Sequence, residues 1–151
     1  MLRYQLERWA EFVEDGKKLF PEHYAELARD QEHIKLDINE QLYVDADARG
    51  VGHIVTVRDE RKLVGYAILA VMPHLHYKSA GPMAMIDVYY LKQAYRKGGT
   101  GAKMIMFAEK TLREKGVTKI YFSTKVHQNH GDLLKALGFT HSDDVYTKLL
   151  R

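Results

Sequence analysis

Tyr95-Arg96-Lys97-Gly98-Gly99-Thr100-Gly101 follows the run Met83-Ala84-Met85-Ile86-Asp87-Val88-Tyr89-Tyr90-Leu91 and precedes a segment of helical period. The first run is rich in strand formers, and the second puts Met104, Ile105, Ala108 and Leu112 on one helix face, with Gly116 as its stop. A strand, a glycine-rich turn and a helix beginning near Thr100 form an anion trap. Glycines let a ligand approach the backbone, several N–H groups point outward, and the helix dipole adds positive potential. Arg96, Lys97 and Lys103 thicken that field. The turn is no P-loop, since GxxxxGK[ST] is absent, and no dinucleotide fingerprint, since Met104 stands where the third glycine would fall.

The flanking sequence predicts the rest of the fold. Upstream, His53–Arg58 and Lys62–Met72 read as two strands joined by the turn Asp59-Glu60-Arg61. Residues 7–30 have helical period, punctuated at Gly16 and Pro21, with Pro21 placed in the first turn of a second helix. A short helix is expected around Asn39–Val44 and a short strand at Leu2–Leu6. Downstream, Lys119–Thr124 reads as a strand and Gly131–Leu137 as a short helix. Phe139–His141 and Val145–Leu149 read as a terminal strand pair. The expected architecture is α/β, a mixed central sheet flanked by helices in the order ααβββαβαβ(β), in a single domain over residues 1–151.

Composition narrows the functions. The chain has 151 residues, 46% hydrophobic and 28% charged, ordinary for one globular domain. With no cysteine there is no disulfide framework, thiolate zinc site, redox CxxC or cysteine nucleophile in this chain. The net charge of +3 suits an anionic ligand but is too small to imply nucleic acid. The apolar stretch Val64–Met72 is about half the ~20 residues of a membrane span, and the N-terminus lacks a signal peptide's apolar segment, so a cytoplasmic location is expected.

Arg96-x-x-Gly99-x-Gly101 resembles the acetyl-coenzyme A motif [QR]xxGx[GA] of the GNAT N-acetyltransferases. Leu133-Leu134-Lys135-Ala136-Leu137-Gly138-Phe139 is similar to that family's "fYekLGF" segment, and Leu63-Val64-Gly65-Tyr66 to its "lvGy". The resemblance covers nearly the whole chain. Pro73-His74-Leu75-His76-Tyr77-Lys78, with Asp87-Val88-Tyr89-Tyr90, looks like a branch found in phages and prophages. The resemblance implies acetyl-CoA as co-substrate and an amine acceptor. Its pantetheine arm would lie along Tyr89 to Leu91. Its pyrophosphate would sit on the amides of Lys97, Gly98, Gly99, Thr100, Gly101 and Ala102, with Arg96 at the first motif position. Asn129 falls in the region of a coenzyme-contacting Asn.

Catalytic candidates divide between proton acceptor and proton donor. A lysine-like amine has a pKa of ~10.4, so a base or water relay must take its proton at neutral pH. Asp87 interrupts an otherwise apolar strand, where a buried carboxylate is costly unless paired or used, and the resemblance maps the family's general base onto it. His74 and His76, in the loop before that strand, are expected to hydrogen-bond within the loop, with His76 the more plausible relay or acceptor-pocket residue. His-x-His alone does not make a zinc site, and no metal is expected. The tyrosine that often protonates the leaving thiolate aligns with Leu134, which has no proton to give. Tyr90 or an ordered water would substitute, or the chain retains binding without catalysis. Oligomerisation stays open.

Overall fold

The computed structural model describes residues 1–151. Five strands form one sheet in the order β1-β2-β3-β4-β5: Leu2–Glu7, Gly52–Asp59, Lys62–Pro73, Pro82–Leu91 and Lys119–Tyr121. The first three contacts are antiparallel and the last, β4 with β5, is parallel. Helices α1 (Trp9–Leu27) and α2 (Glu40–Ala48) cover one face, and α3 (Thr100–Glu114) covers the other. The short helix α4 (Gly131–Ala136) follows β5. This is the α/β architecture expected from the strand–turn–helix stretch, and Leu2–Leu6 is indeed a strand.

Two cores follow from strand alternation. Ile54, Tyr66, Ile68 and Tyr90 face α1, where they meet Trp9, Phe12, Phe20 and Leu27. Val55, Val57, Ala67 and Leu69 face α3 and meet Met104, Ala108 and Leu112. Burying a side chain of this size is worth roughly 1.5–3 kcal/mol, so these contacts fix both helices to the sheet.

Four expectations are corrected. Within residues 7–30 there is one helix, Trp9–Leu27, and it runs through Pro21. Proline there forfeits one backbone bond, but Phe12, Leu19, Phe20 and Leu27 hold the helix to the sheet on both sides of it. Gly16 is a packing glycine rather than a break: a Cβ there would come within 2.7 Å of the Phe12 ring. The strand expected at Lys119–Thr124 stops at Tyr121. Finally, the terminal strand pair Phe139–His141 and Val145–Leu149 is absent. From Thr140 onward every residue is exposed and none makes a backbone hydrogen bond.

Candidate active site

The glycine turn does what its sequence predicts. Gly98 and Gly99 both take the left-handed conformation, with φ of 64° and 76°, and Gly99 caps α3. The N–H groups of Lys97, Gly98, Gly99, Gly101 and Ala102 have no partner in the protein. They surround the positive end of a 15-residue helix, so the turn presents a set of free donors to an anion. Nothing lies within 4 Å of where a Cβ would sit on Gly98 or Gly99, so that side is open to a ligand.

Side chains hold this turn in place. Thr100 is buried and its hydroxyl donates to the Lys97 carbonyl at 3.0 Å. Tyr95 donates to Asp59 on the β2–β3 hairpin at 2.8 Å. Arg96 donates from Nε to the Leu91 carbonyl at 2.7 Å, and from both terminal nitrogens to the Glu26 carboxylate at 2.5 Å each. Its guanidinium also lies 5.6 Å from the Tyr90 ring centre. Arg96 is thus a clamp between α1 and the end of β4, with most of its donors already committed.

A cleft of about 260 Å³ runs from this turn along β4. It is lined by Tyr89, Tyr90 and Leu91 on one side and by Arg96, Gly99, Thr100, Gly101 and Ala102 at its head. Its geometry comes from the parallel pair. β4 and β5 are paired only from Met83 to Met85, after which the strands part and one edge of β4 is left without a neighbour. Unpaired strand backbone beside a groove suits an extended amide-bearing chain, which pairs there as an added strand would. Gln128, His130 and Leu133 form the opposite wall, with Leu27 beside them. Asn129 lies between two of these residues but spends its Oδ1 on the Gly131 N–H at 2.7 Å, starting α4. The Tyr89 ring stands edge-on to both Phe122 and His130, at 5.3 and 5.4 Å, and burial pushes its hydroxyl up to about 12.

Asp87 is not buried, contrary to the expectation from its apolar neighbours. Ile68 pairs with Val88 while Leu69 pairs with Ile86, so Asp87 is the extra residue of a β-bulge. The bulge inverts the alternation: Ile86 packs toward α3 and Val88 toward α1. The carboxylate is exposed, and its Oδ2 accepts a hydrogen bond from the Tyr43 hydroxyl of α2 at 2.6 Å. Tyr43 stacks on Trp9 at 4.5 Å with rings 6° apart, which fixes that hydroxyl. Burial and the Asp87 carboxylate hold the Tyr43 proton on strongly.

Other polar groups gather on the α1 face. Tyr90 donates to Glu22 at 2.6 Å, and Lys92 binds the other oxygen of that carboxylate at 3.1 Å. Burial and Glu22 raise the Tyr90 hydroxyl far above its ordinary value, which makes it a poor proton donor. His23 bonds through Nδ1 to the Tyr66 hydroxyl at 2.7 Å and stacks on Tyr90 at 4.7 Å. Burial pushes His23 down to about 4. His76 is not brought to this group: it is exposed in the loop at the opposite end of β4 from the glycine turn, edge-on to Tyr77. His74 packs against the same tyrosine. Leu134 is buried, and its neighbour Leu133 reaches the cleft.

Sequence reasoning missed Tyr43, Glu22, Glu26, His23, Gln128 and His130. Glu22, His23 and Glu26 sit at helical spacing on one side of α1, a pattern visible in the sequence but without a partner to interpret it. Tyr43 had no local signal at all.

No curated protein sequence matches the chain. Solved structures match along its full length. A ribosomal-protein-alanine N-acetyltransferase from Brucella melitensis biovar Abortus 2308 is 13% identical, covers 100% of this chain and 99% of its own, and has a TM-score of 0.77. An aminoglycoside acetyltransferase from an uncultured soil metagenomic sample is 15% identical, with coverages of 99% and 95% and a TM-score of 0.76. A predicted acetyltransferase from Clostridium acetobutylicum, solved with acetyl-CoA, is 16% identical, with coverages of 99% and 97% and a TM-score of 0.70. At these identities the likeness is one of fold. The sequence profile of the acetyltransferase (GNAT) family matches residues 6–139, a span that takes in β2 to β5, the bulged strand among them, and the glycine turn, and the chain belongs to that family.

Proposed function

We propose that this protein is an N-acetyltransferase that passes an acetyl group from acetyl-CoA directly to an amine within a ternary complex. One observation carries the reading. Strand β4 carries an exposed carboxylate at its bulge and ends at a turn with five unpaired N–H groups, so a proton acceptor and an anion-binding head stand along one strand. The residues fit the coenzyme: free amides at the start of α3 for the pyrophosphate, and the unpaired stretch Asp87–Leu91 for the pantetheine amides. When bound, the co-substrate supplies an acetyl thioester activated toward amines.

Asp87 accepts the amine's proton, directly or through a water. Tyr43 holds Oδ2, which leaves Oδ1 to face the acceptor. Tyr90, with its proton committed to Glu22, binds and shapes the groove and is not required to protonate the leaving group. A thiol of pKa ~8.5 departs as thiolate without strong acid assistance. This chain has no cysteine, so the acetyl group does not pass through a thioenzyme. His76 contributes to the rim of the acceptor side rather than to proton transfer. The acceptor is a small molecule or a protein amine; relatives named for each class share this fold. The need for a supply of acetyl-CoA supports a cytoplasmic location for this activity. The Pro73–Lys78 loop supports a kinship with phage and prophage members.

Leu134 favours a second reading, a coenzyme-binding module without turnover, because it stands where the resemblance puts a tyrosine. One experiment separates the two. Calorimetry with acetyl-CoA is expected to show binding. Acetylation is then measured on an amine that the unmodified protein demonstrably modifies. Asp87→Asn is expected to keep coenzyme affinity and lower turnover about 10²–10⁴-fold, with the defect shrinking as pH rises and more amine is already neutral. Tyr43→Phe is expected to cost roughly 3–10-fold, the loss of one hydrogen bond to a charged group. Binding without turnover on a broad amine panel supports the module, and absence of coenzyme binding removes both readings.

A further inference from the structure

His23 and Leu27 stand one turn apart on α1. Leu27 lines the cleft at the glycine turn, whereas His23 lines a second recess together with Tyr43, Tyr66 and Asp87. The imidazole is held on two sides. Its Nδ1 meets the Tyr66 hydroxyl at 2.7 Å, and its ring lies on Tyr90 at 4.7 Å with planes 19° apart. Tyr90 is itself fixed by its bond to Glu22. These contacts orient the ring, and they also decide where its proton sits. Tyr66 is fully buried, and burial holds its phenolic proton on strongly. That O–H has one partner, His23 Nδ1. Were Nδ1 the donor, the buried hydroxyl would have no acceptor for its own proton, a loss that buried groups rarely carry. Tyr66 therefore donates, Nδ1 accepts, and the imidazole hydrogen sits on Nε2.

Charged groups reach this ring from Glu22 and Glu26 on α1, from Lys92 and Arg96 beyond β4, and from Lys125 after β5. Lys92 pairs with Glu22 and Arg96 with Glu26, so four of these charges cancel. Burial outweighs the remainder and leaves the ring neutral at neutral pH. Every buried side-chain nitrogen and oxygen of the chain has a partner, and Nε2 has none, so Nε2 opens to the recess. A fixed, uncharged N–H donor in a recess asks for a lone pair, and the matched charges beside it favour an uncharged oxygen. We propose that His23 Nε2 donates a hydrogen bond to a hydroxyl or carbonyl oxygen of the acceptor, so that the amine acetylated is an oxygen-bearing one rather than a plain alkylamine. The proposal rests on the acetyltransferase reading. An alkylamine would strip water from Nε2 and return no partner, which is how a polar site rejects an apolar analogue. Tyr90, under the His23 ring, and Asp87 are three residues apart on β4, roughly 10 Å, so amine and oxygen belong to one compact molecule or one peptide end. His23 does not compete with Asp87 for the amine's proton. Its Nδ1 lone pair is spent on Tyr66, and Nε2 already carries a hydrogen.

The test uses the full chain, and its first measurement needs no turnover. Long-range proton–nitrogen NMR of the imidazoles at neutral pH, assigned by the ring that His23→Gln removes, is expected to show His23 as the neutral Nε2–H tautomer. An Nδ1–H tautomer or an imidazolium overturns the proposal. Tyr66→Phe, which leaves the imidazole in place, is expected to release the tautomer preference, and an unchanged spectrum overturns the proton assignment. With coenzyme A present, ω-amino alcohols and ω-amino amides from propyl to hexyl are expected to move the Nε2 signal, and plain alkylamines of the same lengths to leave it. No movement with any oxygen-bearing amine overturns the proposal. Kinetics follow on the same panel. Oxygen-bearing members are expected to have a KM about 5–10-fold below that of the matched alkylamine. His23→Phe is expected to erase that preference by raising their KM, with kcat moving less than ~2-fold, and His23→Gln, which keeps an N–H donor, to restore part of it. Equal losses on both series mark His23 as packing only and overturn the proposal. A moving Nε2 signal with no amine acetylated supports the contact and tells against the acetyltransferase reading instead.

Discussion

Gly101→Ala tests how the head of the cleft is built. A Cβ at this position would lie 2.7 Å from the Tyr89 hydroxyl oxygen and 4.0 Å from the carbon that bears it. Ordinary contact begins near 3.4 Å, so the hydroxyl must retreat by roughly 0.7 Å. Tyr89 cannot swing freely, because Phe122 and His130 stand edge-on against its ring. Overpacking of this kind costs about 1–3 kcal/mol. Alanine returns up to ~1 kcal/mol of helix propensity, and less in a first turn. The expected net loss is about 0.5–2 kcal/mol in urea unfolding without coenzyme, or roughly 2–6 °C in Tm. Tyr89→Phe removes the clashing atom. Since the hydroxyl makes no hydrogen bond within the protein, that change alone is expected to fall within ~0.5 kcal/mol of neutral. The double variant is therefore expected to match or exceed the unmodified protein, a coupling of about 1–2 kcal/mol. Gly101→Ala should also weaken coenzyme A in calorimetry, because the displaced ring enters the cleft. Equal stability of Gly101→Ala and the unmodified chain, or a double variant no better than Gly101→Ala, would refute the packing described here.

Glu26→Gln releases Arg96 from its bidentate clamp and is expected to tighten coenzyme A binding about 3–10-fold at low salt, an effect that calorimetry at two ionic strengths reads. Arg96→Ala is expected to cost more in folding, roughly 1–2 kcal/mol by urea titration, than in coenzyme affinity, because it strands Glu26 and undoes the tie to Leu91. His53 is buried, bonded to Thr111 at 2.8 Å, and pushed down to about 4 by burial; its folded pKa lies below the ordinary value, so the unfolded chain takes the proton first on acidification. The share of stability that His53 contributes is expected to be full above pH ~6.5 and to fall by about 2 kcal/mol between pH ~6.5 and ~4; His53→Gln should remove that share if the amide keeps the Thr111 bond, while His23, also pushed down to about 4 by burial, keeps its own.

The parts of the site that were legible in the sequence are those in which chemistry is local. A left-handed turn needs glycine, so Gly98 and Gly99 announced the turn, and the period of Met104, Ile105, Ala108 and Leu112 announced the helix behind it. What the sequence could not show are pairings between distant residues. Glu26 meets Arg96 across 70 positions and Tyr43 meets Asp87 across 44, and neither pair has a spacing that a periodicity could detect. Pro21 and Gly16 misled for a related reason. Local propensity breaks the helix, while a sheet face formed by strands far downstream holds it continuous.

Asp87 shows how a correct residue can be reached through a wrong environment. Strand alternation puts it among apolar neighbours, and a buried carboxylate invites a search for function. The structure instead makes it the surplus residue of a bulge, where the alternation breaks and the side chain turns out. A bulge leaves no mark in hydropathy, because the residues on either side are apolar whether they face α3, as Ile86 does, or α1, as Val88 does. Its consequence is nevertheless chemical. An exposed carboxylate can exchange protons with solvent after each turnover. A buried one would have to be neutral or permanently paired. Tyr43 then supplies the only protein hydrogen bond that the carboxylate has, on a ring fixed by Trp9, so its orientation comes from α2. This division explains why Tyr43→Phe is expected to cost roughly 3–10-fold and Asp87→Asn at least about 10²-fold: the first loosens an acceptor that still exists, and the second removes it.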